Sequence, residues 1–504
     1  MSHFNLNTNQ NYIVMIKSIH TTLKLSLTCL ILFTWFPACQ DLTEEPLGLS
    51  TPESFYNTTA QCEAAFAASM NALFSTWGGY QNPLGLPDGQ QYGSSLDYEP
   101  NSFNDFWSWH FKAISNINAV IKAVKANSLE GNPASVINDI EGQAKFLRAF
   151  NYFYLVRYYG KIPYIDEETP DLISNPLTPE SRLEIATVYD KIEADLTFAA
   201  ANLNDYDPST HGKPNKWIAK ALLAKVYLTR ATAPLNQKDN YAKARDAADD
   251  VIKNGPYSLL PNVEDIFKTS NRGNSEIMFA FQSSYAAETG SEYMPGNVWA
   301  PSEMDGWSGG GVIPTWLDNY PEQPRRTSYV LENWTADIYD PSAPTINWTE
   351  SSDGTPYTGK FNMPNLTFDE QVGGGPSGIE IPILRLADVY LMYAEAANMA
   401  GSGPTQQAVD RINAIIERAN GGPGGPGTEA LATLSMSQAD FDKKVIDERN
   451  FELCFEGDRY FDVLRKKLLQ EVNLPDNAQG FDENDYLFPI PPFDAEKIGQ
   501  NPGY

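Results

Sequence analysis

The sequence predicts a mostly α-helical protein, a scaffold of helix pairs interrupted by two long loop-rich excursions. Three observations carry that prediction. Apolar residues recur at three- and four-residue spacing, as in Ile114, Ile117, Ile121 and Val124, or Leu147, Phe150, Tyr154 and Tyr158. Residues 214–230 and 239–253 form a helical pair whose small alanines allow close approach. Two blocks, at about 75–106 and 271–378, lose the helical period and fill with Gly, Pro, Asn and aromatic residues.

The N-terminus does not belong to the fold. Lys17 and Lys24 precede an apolar run at 25–38 that is short for a membrane span. Ala38 then sets a small residue directly before Cys39, the order of a bacterial lipobox, with Phe36 where Leu is usual. Residues 1–38 are therefore expected to be a lipoprotein signal peptide and Cys39 the lipidated residue, an anchor and not a span. Residues 39–54 read as a tether, and 55–504 as one domain. Within that domain, Thr51 and Pro52 offer an N-cap and N1 residue to a first helix.

Helices follow at 62–74, 107–125 and 141–159, and then in the alanine-rich pair, which Asn254, Gly255 and Pro256 close. That pair resembles a tetratricopeptide unit, but no strict 34-residue period runs through the chain, so the repeats are degenerate. The second excursion opens on one strand candidate, 273–282, and is too long for a connection; it is a functional insertion or a small subdomain. Helices resume from Arg385, broken only by a flexible loop at 421–427. The last of them, 447–465, places Phe451, Cys454 and Phe455 on one stripe and Arg449, Glu452, Glu456 and Arg459 on the next. The four charges read as a structural ion-pair seam, with a catalytic carboxylate pair the less favoured alternative, and Gly457 as a kink or close-packing point.

Composition excludes several functions. A net charge of −28 opposes nucleic-acid binding, which needs a cationic face; losing the leader removes two lysines and no acids, giving −30. Of four histidines, His3 and His20 leave with the leader, so His110 and His211 remain and no zinc set can be drawn. No metal and no cofactor are expected. Cys62 and Cys454 remain as a distant pair or as buried free thiols. Gly306-Trp307-Ser308-Gly309-Gly310 matches a nucleophile elbow, but both remaining histidines lie upstream and no helix pattern follows. Gly373, Gly375 and Gly378 fit a dinucleotide fingerprint that Pro376 and Pro382 interrupt.

The remaining signal is the aromatic surplus: aromatic residues are 12% of the chain. Trp77, Tyr80, Tyr92, Trp299 and Trp307 sit among Gly, Pro, Ser and Asp, outside any helical or strand period. Flat apolar rings beside hydrogen-bonding groups suit the C–H faces of sugars, so these five are the candidate ligand-binding residues.

Several long segments carry a family resemblance. ERNFELCFEGDRYFDVLRKK (448–467) resembles the C-terminal signature of the SusD/RagB family of surface lipoproteins. LRLADVYLMYAEAAN (384–398), AVDRINAIIERA (408–419) and LFPIPPFDAEKIGQNPGY (487–504) are similar to its other segments, in order, and EGQAKFLRAFNYFYLVRYYG (141–160) extends the resemblance over nearly the whole mature chain. The acidic residues after Cys39 resemble that group's surface-export tethers. The resemblance implies an outer-membrane nutrient-binding lipoprotein. It would pass captured oligosaccharide to a SusC-like, TonB-dependent β-barrel transporter, with no reaction and no cofactor. It does not supply the binding residues, which rest on the aromatic argument. The alternatives are a peptide-binding RagB-like lipoprotein and, less favoured, a surface glycoside hydrolase.

Overall fold

Alanine-rich and apolar stripes do build the scaffold. In the computed structural model the described residues are 55–77, 88–90, 104–282, 300–309, 311–337, 339–340, 342–361, 378–472 and 481–504. The leader, Cys39, the tether and the Thr51-Pro52 cap lie outside them. Helices α1 (Thr59–Trp77), α2 (Asn104–Lys125), α3 (Ala134–Tyr159), α4 (Ile185–Asn202), α5 (Lys216–Ala231) and α6 (Asn240–Asn254) each pack on the next in sequence. After the second excursion, α7 (Leu386–Ala400) lies on α6 and carries α8 (Gln406–Ala419) and α9 (Gln438–Glu452). This is the architecture of stacked helix pairs that the sequence predicts.

Local chemistry sets the ends. Asn215 caps α5 by accepting from the N–H groups of Trp217 and Ile218, so the helix starts one residue after the Pro-Asn pair. Gly255 ends α6, its N–H donating to the Val251 carbonyl. Helix α3 is buried on nearly every side, which explains why its sequence carries aromatic residues all round. The C-terminal tail closes over it: Phe488 stacks on Tyr158 with centroids 5.2 Å apart, and its N–H donates to the Tyr158 carbonyl at 2.8 Å. Full burial of one such ring contributes about 1.5–3 kcal/mol.

Strands are short and serve as ties. β1 (Ile162–Pro163) pairs with β2 (Arg182–Leu183). β3 (Ile277–Phe281), the strand the sequence predicts, pairs antiparallel with β8 (Ile381–Arg385) and so closes the base of the second excursion. Inside the excursion β4 (Val330–Leu331) pairs with β7 (Tyr357–Thr358), and β5 (Asn333–Thr335) with β6 (Thr345–Asn347). Two short helices, Pro314–Leu317 and Pro324–Tyr329, also lie there, so the block is not free of helix as the sequence suggests. Proline at the first helical position starts each of them.

The helix expected over 447–465 is in fact two. α9 stops at Glu452 and α10 (Asp458–Lys466) begins after Gly457, with Phe455 at φ 65° and Gly457 at φ 84°. A left-handed pair of residues cannot continue a helix, so the kink is an elbow. The four charges therefore do not form a network among themselves. Arg449 donates to Asp388 at 2.6 Å and Asp462 at 2.8 Å. Glu452 accepts from Arg325, Arg385, Arg418 and the Tyr329 hydroxyl, and Glu456 from Lys360 and Arg385. Arg459 is buried, but its Nε and Nη1 make no hydrogen bond. Burial pushes the Glu452 carboxyl up, yet Arg418, Arg385 and Arg325 together hold it well below the usual carboxylate range. The seam is real but is built from cations distant in sequence.

That buried network fastens the second excursion to the scaffold, because Arg325 and Lys360 come from the excursion and Glu448, Glu452 and Glu456 from α9 and the elbow. Cys62 and Cys454 are both free and buried, their thiols pushed up to about 11 by burial. The 421–427 loop is a hydrogen-bonded turn and not a loose link: Gly427 N–H donates to the Asn420 carbonyl, and the Asn420 side chain is bonded to Glu429. Gly421, Gly422 and Gly424 supply its positive φ angles.

Candidate functional site

The two excursions meet on the elbow. Gln90, from the first, donates to the carbonyl (3.0 Å) and side-chain oxygen (2.9 Å) of Asn450 and accepts from the Phe455 N–H at 3.2 Å. The Gln90 carbonyl in turn accepts from Ile313 N–H of the second excursion at 2.9 Å. Behind that tie the excursion's rings pack inward. Trp316 and Tyr320 lie against Phe451 and Phe455, and the Tyr320 hydroxyl donates to the Phe451 carbonyl at 3.0 Å. Trp334 is also buried, its indole N–H 3.3 Å from Glu303. These three rings are core, and they make a rigid floor.

Trp307 is different. Its side chain is 48% exposed, on a turn of residues 300–309 wound about the Ala300 carbonyl. Ser308 N–H donates to that carbonyl and Gly306 N–H to the Pro301 carbonyl, both at 3.0 Å. Gly306 is required, since a Cβ there would stand 2.1 Å from the Ala300 oxygen. Asp305 and Ser308 flank it at φ 59° and 55°, a region that non-glycine residues occupy only when their surroundings hold them.

Two carboxylates do the holding. Asp353 accepts from the Ser302 N–H (3.2 Å), the Ser302 hydroxyl (3.1 Å) and the Ser308 hydroxyl (2.8 Å). Glu303 accepts from the Ser352 N–H (2.8 Å) and hydroxyl (2.9 Å). Burial pushes both carboxyls up, but these donors outweigh it and leave each below its ordinary value. Both therefore stay ionised and serve as braces. Tyr339 is tied to the same turn: the residue is 62% exposed and its hydroxyl donates to Asp305 at 2.7 Å. An exposed indole on a hydrogen-bonded turn and an exposed phenol bonded to that turn thus stand together, an arrangement that suits a flat ligand face.

The sequence candidates divide accordingly. Trp307 is where the aromatic argument places it, exposed on a loop. Trp77 is the last residue of α1 and not part of a loop, because the helical pattern runs three residues further than the period suggests; its side chain lies outside the described residues. Tyr80, Tyr92 and Trp299 lie outside them altogether. Tyr339 was missed as a site residue, although its neighbours Asp337, Asp340 and Pro341 have the same loop character as those of the five candidates.

Among the described residues, 306–309 form no hydrolytic elbow: Ser308 donates to Asp353 and has no imidazole partner, and the turn joins no strand to a helix. His110 is buried against Asn151, its pKa lowered to about 4 by burial, and His211 pairs with Glu380 at 2.9 Å. Among the described residues no cluster of three or more His, Cys, Asp and Glu side chains could hold a metal ion.

Stacked helix pairs carrying an aromatic-presenting excursion define the class of this protein, and comparison with known proteins gives its family. Residues 327–504 match the SusD family, and residues 56–228 match the family described as starch-binding, associating with outer membrane. A SusD-like protein of Formosa agariphila is 30% identical, over 95% of this chain and 100% of that protein. The chain belongs to the SusD family, as its C-terminal motifs suggest. Among solved structures, a SusD homologue from Bacteroides thetaiotaomicron superposes with a TM-score of 0.76 at 20% identity, covering 90% of this chain and 98% of that one. A laminarin-binding SusD-like protein superposes with a TM-score of 0.68 at 23% identity, covering 88% and 99%. These two likenesses establish the shared fold.

Proposed function

We propose that this protein is a cell-surface lipoprotein that binds glycan and passes captured oligosaccharide to a SusC-like, TonB-dependent outer-membrane transporter. The observation that carries the glycan part is Trp307, an exposed indole on a turn whose backbone is braced at Asp353 and Glu303. A turn braced this way lowers the backbone ordering cost of presenting the ring to a ligand. Membership of the SusD family, whose relatives include a laminarin binder, supports the same ligand class. Trp77, Tyr80, Tyr92 and Trp299 are proposed to extend the aromatic surface from the two excursions. Cys39 is proposed as the lipid anchor and residues 40–54 as the tether. No reaction is assigned: the buried carboxylates of the elbow are engaged by arginine and lysine, and the Trp307 turn lacks a nucleophile–base pair.

Calorimetric titration of the purified protein with laminarin and starch oligosaccharides, and with a tryptic peptide mixture, tests this reading. Saturable binding of a glycan that is recovered uncleaved supports it. Binding of peptides alone moves the protein to the RagB-like alternative, and glycan turnover moves it to a surface hydrolase.

A further inference from the structure

We infer that the protein carries a second ligand site, for a small carboxylate with a compact apolar body, in a cavity between the helical scaffold and the C-terminal tail. The cavity measures about 220 Å³ and is walled by α3, α4, α10 and the tail, with the end of α5 at its edge. None of its lining comes from the two excursions, so it is separate from the Trp307 surface. Val156, Ile185, Tyr189 and Leu487 give it apolar sides. Its volume falls below the ~300–1,000 Å³ of drug-sized sites, so a compact ligand fits.

Arg157 supplies the polar contact. Its guanidinium carbon lies 3.4 Å from the ring centre of Phe461 and 3.7 Å from that of Phe153, and its Nε donates to the Phe153 carbonyl at 2.9 Å. The Tyr154 hydroxyl is its other hydrogen-bonding neighbour. None of the described carboxylates forms an ion pair with it, in a chain with 64 acidic residues against 36 basic ones. The other charges of the wall are matched. Arg465 is bound by Glu395 and Asp462, and Glu483 lies 3.5 Å from the Lys467 ammonium, which covers the Tyr486 ring. Among the described residues the cavity therefore keeps one uncompensated positive charge. Contact with ring faces does not satisfy a guanidinium's N–H donors, and a carboxylate is the anion whose geometry matches them.

The test uses phenylacetate and its neutral twin phenylacetamide, titrated calorimetrically into the purified protein. The expected result is one phenylacetate site per chain, with the amide at least tenfold weaker. Arg157→Gln should bring the two to the same weak affinity. Thr229→Leu fills the cavity edge without touching the guanidinium and should abolish binding of both, with the melting temperature checked on each variant. Should Arg157→Gln fail to fold, the wild-type preference for the anion and its loss in Thr229→Leu decide the matter. No phenylacetate binding at millimolar concentration, equal binding of acid and amide, or a wild-type preference in either folded variant overturns the site.

Discussion

Replacing Arg385 with Met removes the cation at the centre of the elbow network while keeping a similar apolar length. In the structure Arg385 donates to Glu456 twice at 2.7 Å, to Glu276 at 2.8 Å, to Glu452 at 3.0 Å and to the Glu452 carbonyl at 2.9 Å. It is fully buried, as are Glu276 and Glu452. Arg418 still reaches Glu276 and Glu452, Arg325 still reaches Glu452, and Lys360 still reaches Glu456, so each carboxylate keeps at least one cation and the cluster gains one unmatched negative charge. Breaking a buried pair in this way costs about 3–5 kcal/mol. For a cooperative unit of Pro52–Tyr504, an unfolding entropy of about 2.1 cal/mol/K per residue makes that a fall of about 3–5 °C in melting temperature. The pH dependence adds a sign. Cations hold Glu452 low in the wild type, so its contribution is present above the unfolded carboxylate pKa and lost as pH falls below it. In the variant Glu452 loses one of the cations that hold it low, so acid costs the variant less and the gap to wild type narrows as pH falls from 7 toward 3. Denaturant melts of both proteins across that range are the assay. An unchanged midpoint at pH 7, or a gap that does not narrow, refutes the reasoning; lost glycan binding with unchanged stability would place the network in the site instead.

Three further outcomes follow from neighbouring residues. Arg459→Met should destabilise by less than about 2 kcal/mol, because the buried guanidinium leaves two nitrogens unbonded; a loss as large as that of Arg385→Met contradicts the assignment. Burial pushes Asp88 up to about 7, so its contribution is present below pH ~4 and lost as pH rises to that value. Asp88→Asn keeps an acceptor for the Gln90 N–H and should melt higher than wild type at pH 8 but not near pH 4; no gain at pH 8 counts against it. Cys39→Ser should release the protein from the outer membrane in cell fractionation without the transporter, and unchanged membrane retention would remove the anchor.

The scaffold was legible because helix pairs carry their own period. The apolar positions from Ile114 to Val124 and from Leu147 to Tyr158 are buried as their spacing requires, and the strand at 277–281 forms within the 273–282 segment. The elbow was not legible, because 447–465 keeps a helical stripe throughout and only Gly457 hints at a break. What stabilises the break is Gln90, more than 350 residues away, together with Arg325, Lys360 and Arg385, and no local pattern announces such partners. The same limit applied to the aromatic residues. Trp307 and Trp316 have similar loop neighbours, yet one is exposed and the other packs on Phe455, a difference set by tertiary contact. Tyr339 could have been chosen on the same grounds as Trp307.

The central claim is that Trp307 forms part of a glycan-binding face, and one paired measurement tests it. Trp307→Ala removes an apolar platform worth about 1–3 kcal/mol of affinity, which is a rise of about five- to a hundredfold in Kd. Because the ring is exposed and Asp353 and Glu303 still brace the turn, the melting temperature should stay close to wild type. Calorimetric titration with the tightest glycan from the panel, run beside a thermal melt, reads both quantities on one sample. The account predicts weakened binding with an unchanged melt; wild-type affinity, or a collapse of the melt by several degrees, contradicts it.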